Sequence, residues 1–132
     1  MNEREEPTCG EEVAASAEVP DAWRDLMRHV AINLEAHATW VGTGSPAARE
    51  EHEGLRRVAA AYLEMAEAAD RAGRIMRGMR AVPAAPHDPA RRDGEAFVVW
   101  MRKKVELQRA LAAMLERHAA ESERALGVSN SA

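Results

Sequence analysis

Val41-Gly42-Thr43-Gly44-Ser45-Pro46 holds a helix stop and a helix start a few residues apart, and it decides the fold. Glycine takes the left-handed conformation that commonly closes a helix. Ser45 carries a side-chain oxygen able to satisfy the free N–H groups of a helix start. Pro46 suits the first helical position, where no N–H is needed. Helices joined by so short a connector must run antiparallel.

On the N-terminal side, Trp23, Met27, Val30, Leu34, His37 and Val41 recur at alternating steps of four and three, widened by Leu26 and Ala38. That period is a helical packing seam. It predicts a helix over about 21–41, with Asp21 after Pro20 as its N-cap. On the C-terminal side, His52, Leu55, Ala59, Tyr62, Ala66, Ala69, Gly73 and Met76 continue the same stepping and predict a helix over about 46–80. Its middle is small, which permits close helix approach. Val82-Pro83 to Pro89 cannot continue that helix, and the next starts at Asp88-Pro89 or after Asp93-Gly94. A third helix over about 90–126 follows, stopping at Gly127. Its expected face runs through Phe97 or Val98, Met101, Val105, Gln108, Leu111 or Ala112, Leu115, His118 or Ala119, Ser122 and Leu126.

The class is therefore all-α: an antiparallel three-helix bundle with two long helices and one shorter. Composition agrees, with 28 alanines among 132 residues and a single Phe and Tyr. Alanine buries little area at roughly 25 cal/mol per Å², so the core is thin and completion by dimerisation is expected. A short helix beside two long ones also leaves a strip uncovered: Ile75, Met76 and Met79 with Phe97, Trp100 and Met101. Residues 1–20, rich in acid and poor in large apolar side chains, read as a disordered tail. A short helix around Glu11–Glu18 is the alternative. The bundle domain is 21–127, and 128–132 reads as a second disordered tail.

The single cysteine, Cys9, excludes an internal disulfide and a cysteine-based zinc site. The acidic N-terminus has no apolar leader region and no run approaches a membrane span, so a cytoplasmic location is expected. Sixteen Arg against two Lys point to a GC-rich bacterial genome.

Two features carry possible function. The first is histidine. Reflecting the chain through its turns brings His37, His52, His118 and Glu121 within about two helical turns of one another, with His29 further along. Imidazoles and carboxylates on facing helices can hold zinc, iron or haem, as in ferritin-like bundles. None of these histidines follows a glutamate at three residues, however, and no H-E-x-x-H motif occurs. The favoured expectation is no cofactor, each histidine being a seam residue bonded to a neighbour such as Glu50, Glu53 or Glu121. A cluster that titrates near neutrality is a variant of the same grouping.

The second feature is charge. Residues 71–104 carry a net +6 (Arg71, Arg74, Arg77, Arg80, Arg91, Arg92, Arg102, Lys103 and Lys104 against Asp88, Asp93 and Glu95), and residues 1–21 carry −6. The basic end fits an acidic protein, or the chain's own acidic segment. Nucleic acid is disfavoured by the overall charge of −4. Nothing resembles a nucleophile with its base. The expected function is a non-catalytic interaction or regulatory module that self-associates and captures a protein through Arg74, Arg77, Arg80, Met76, Met79, Trp100 and Met101.

Overall fold

A computed structural model describes residues 9–81 and 94–127. They form α1 (Cys9–Ala15), α2 (Glu18–Val41), α3 (Pro46–Gly78), one 3-10 turn (Met79–Ala81) and α4 (Gly94–Ala125), with no strand among the described residues. The expectations for residues 1–8, for the Pro-rich segment with Arg91 and Arg92, and for 128–132 lie outside these.

The connector does what its residues dictate. Gly42 has φ of 70°, and its N–H reaches Ala38 O at 3.0 Å. The Ser45 side chain accepts from Ala48 N at 3.1 Å, with Pro46 opening α3. α3 returns antiparallel to α2, and α4 then packs on the other flank of α3. The three helices pack together with α3 in the middle, while α2 and α4 make only slight backbone contact with each other. The assembly is a layer of three helices rather than a closed triangle.

At the N-terminus the structure follows the alternative expectation of a short helix, placed at Cys9–Ala15. α2 begins at Glu18, not Asp21, and residues 9–15 of the expected tail are helical. Ala14, Ala17 and Pro20 are buried, and α1 packs on α3 and the 3-10 turn. Small side chains make this possible, since close approach compensates for their small area. Ser16 holds the corner by returning its N–H and hydroxyl to Glu12 O. No side chain caps α2, so Asp21 is left to pair elsewhere.

The middle of the layer is a cluster of Met27, Met65, Ala66, Ala68, Ala69 and Met114, with Tyr62 and Leu111 packed against it. Met65 is 0% exposed and lies where all three helices meet. The phases of the outer helices differ from those expected. On α2 the buried residues are Pro20, Met27, Ala31 and Ala38, with Val30, Leu34 and Val41 half-buried; Trp23 and His37 are exposed. On α4 they are Trp100, Ala110, Met114 and Glu121, with Leu107 and Leu111 half-buried. Each inward seam is one position away from the exposed part of the predicted one.

Candidate interaction surface

The helix layer has two sides of opposite chemistry. One side is polar. Glu35, Thr39, His52 and Arg56 line a shallow cleft between α2 and α3. Glu64, Glu67, Arg71, Glu116 and Arg117 line another between α3 and α4, where Arg117 Nε meets Glu64 Oε2 at 2.8 Å.

Residues rotated away from these clefts form the other side, at 100° per residue. On α2 this side carries Val19, Trp23, Leu26, Val30, Asn33, His37 and Trp40, again stepping by four and three. Leu26 is 63% and Trp40 83% exposed, and only Val30 is half-buried. On α4 it carries Met101, Val105, Gln108, Ala112, Leu115, Ala119, Ser122 and Leu126, with Leu115 54% exposed. The half-buried Leu55, Val58 and Tyr62 of α3 form the floor between them. None of the fifteen seam positions on α2 and α4 is charged, in a chain that is 30% Asp, Glu, Lys and Arg, though Lys104 and Glu123 stand on α4 at the helical angles of Ser122 and Val105. A helix face that meets only water carries charge, and loss of charge is what distinguishes the centre of an interface. The seam on α4 is the one the sequence predicts as packed; in the fold it is the outward one.

The predicted partner residues are distributed differently. Met79 and Trp100 are 1% and 8% exposed, so neither is available at the surface. At this end α1 packs on α3 and the 3-10 turn, and Ile75 and Phe97 of the expected strip are half-buried. Met76 is half-buried; Met101 is exposed and belongs to the α4 seam. Arg74 Nε meets Asp70 Oδ2 at 3.1 Å, and Arg77 Nη1 meets Asp21 Oδ2 at 2.5 Å. Arg24 joins both carboxylates, with Nη1 2.9 Å from Asp70 and 3.4 Å from Asp21, and Nε 3.0 Å from Asp25. Asp25 first and then Asp70 push the Arg24 guanidinium pKa up, and Arg24 pulls the Asp70 carboxyl below its ordinary value. Part of the basic end is thus matched by the protein's own acids. Arg80 is exposed. The link from Arg24 to α3 is not legible in the sequence, because Asp70 lies 46 residues away.

The histidines do not assemble. His52 Nδ1–H donates to Ala38 O at 2.7 Å. His37 is exposed, its ring centroid 6.1 Å from that of Trp40. His29 and His118 are exposed, and Glu121 is buried beside Arg124. Among the described residues no three His, Cys, Asp or Glu side chains are grouped to hold a metal. The reason is register. Arg117 opposite Glu64 reflects the chain about a point near residue 90, not 88, which slides α4 by about five residues. His118 then sits roughly 16 Å along the layer from His52 at 1.5 Å per residue.

Compared with known proteins, the chain matches no family model, no curated protein and no solved structure.

Proposed function

We propose that this protein is a non-catalytic helical interaction module that works through the uncharged seams on the apolar side of its helix layer. The carrying observation is the pair of uncharged seams on α2 and α4, where Val19, Leu26, Trp40, Leu115 and Leu126 stand more than half exposed in a chain otherwise dense in charge. Self-association and capture of a protein partner both belong to this reading, as does a cytoplasmic location. No described helix is long and apolar enough to cross a membrane. The partner is placed on the apolar side rather than the basic end, because Arg74 and Arg77 already face Asp70 and Asp21. A flat face flanked by long helices suits another helix laid along it, with heptad stepping on both sides.

Photo-crosslinking tests this reading. A photo-reactive phenylalanine analogue replacing Leu115 should give protein adducts in cells of the source organism. The same analogue replacing Arg56, on the polar side, should give few. Equal yields from the two positions, or none from either, would overturn the assignment.

A further inference from the structure

We infer that the occupant of the apolar side is a second copy of this chain, docked about a two-fold axis parallel to the helices so that α2 of each copy lies on α4 of the other. The inference rests on the functional reading above and specifies its partner. Three observations lead to it.

The first is size. The bulky members of the two seams expose roughly 900 Å² between them, against ~800 Å² per partner in a standard interface. The second is shape. The α2 seam is bulky, with Trp23, Leu26 and Trp40, whereas the middle of the α4 seam is small, with Ala112 and Ala119. One surface therefore carries both the projections and the recesses, as an isologous contact requires. The alternative two-fold axis, across the helices, would set α2 on α2 and press bulky side chains against their own kind.

The third is register. Arg24–Asp70 and Glu64–Arg117 place each α2 residue level with the α4 residue about 87 positions later, counting 1.5 Å per residue. An axis parallel to the helices preserves height, so level residues meet across the dimer. Trp23 and Leu26 then fall on either side of the partner's Ala112, as knobs at a hole. Asn33, the polar residue in mid-seam, falls between the partner's Ala119 and Ser122, where the hydroxyl gives its amide a hydrogen-bond partner. Asn33 with Ser122 and the Trp23–Leu26 pair with Ala112 thus coincide in height, while Gln108 falls level with residue 21, near the start of the partner's α2.

Sedimentation equilibrium on the full chain should find a dimer. Leu26→Glu and Ala112→Glu should each weaken it by more than about 100-fold in Kd, while Ala60→Glu, at an exposed site on the polar side, should not. Helical circular dichroism of the monomeric variants should persist, which separates lost assembly from lost folding. In a Cys9→Ser background, a mixture of Leu26→Cys and Ala112→Cys chains should oxidise to the mixed dimer. Neither chain alone should do so readily. Ready self-crosslinking of the Leu26→Cys chain would overturn the α2-on-α4 arrangement. A wild-type chain that stays monomeric at all concentrations would overturn the second copy as occupant. Adducts from the Leu115 analogue would then show whether a different protein uses the face, so the two failures are distinguishable.

Discussion

Gly73 of α3 leaves open the space that the Asp21 carboxylate of α2 occupies: a Cβ at Gly73 would stand 2.6 Å from Asp21 Oδ1. Asp21 in turn joins Arg24 and Arg77, so a missing side chain on one helix seats an ion-pair cluster on the next. Replacing glycine by alanine within a helix ordinarily gains up to ~1 kcal/mol. Displacing partly exposed ion pairs costs a similar amount, about 0–1 kcal/mol. Gly73→Ala alone should therefore change stability little. In an Asp21→Ala background the same substitution should stabilise by about 1 kcal/mol. Urea denaturation across this double-mutant cycle measures the coupling; additive effects would mean that the two residues do not compete for the space.

Asp70 links the cluster to pH. Arg24 holds its carboxyl below the ordinary range, so the folded protein binds a proton there less readily than the unfolded chain. Its contribution is present in full above the unfolded pKa and disappears as the pH falls through the depressed folded value. Asp70→Asn should therefore lower Tm at pH 7, and the difference from wild type should shrink below about pH 4 and vanish in stronger acid. Melting curves from pH 7 to pH 2 check this. A difference that grows on acidification would contradict the sign.

Met65 should be the costliest truncation in the core. It is fully buried in the cluster with Met27, Met114, Ala66, Ala68 and Ala69, and close packing lets the neighbours fill the gap left by its removal only in part. Met65→Ala should lose about 2–5 kcal/mol, whereas Leu63→Ala on the same helix, at a 39% exposed position, should lose under ~1 kcal/mol. Comparable losses at the two sites would place the core elsewhere.

The ring of His52 ties α3 to the last turn of α2 through Ala38 O, a carbonyl that also accepts from Gly42 N. His52→Ala should cost about 0.5–1.5 kcal/mol. Because His37, His118 and Glu121 do not converge on it, Zn²⁺ should leave the melting temperature of the wild type unchanged. A zinc-dependent rise in Tm that is lost in His52→Ala would show a site these positions do not predict.

Local chemistry determined the helices by itself. Gly42, Ser45 and Pro46 act within a turn of their own positions, so the α2–α3 corner and its antiparallel return are legible without any partner. The alanine content likewise fixes an all-helical chain. The phase of packing was not legible, because α2 and α4 each present two neighbouring seams with the same four-three stepping, and period alone cannot rank them. Tertiary contact ranks them by size. The small Ala31 and Ala38 of α2 and Ala59 and Ala66 of α3 are buried, while Trp23 and Trp40 are left outward. On α4 the register against α3 buries Trp100 and Met114 and exposes Leu115. That same register separates the histidines that reflection through the turns had grouped, and it brings Arg24 to Asp70 across 46 residues. Sequence thus determined what each helix is, since that depends on neighbours in the chain. Which side of each helix is inside depends on volume shared between helices, and only the tertiary structure decided it.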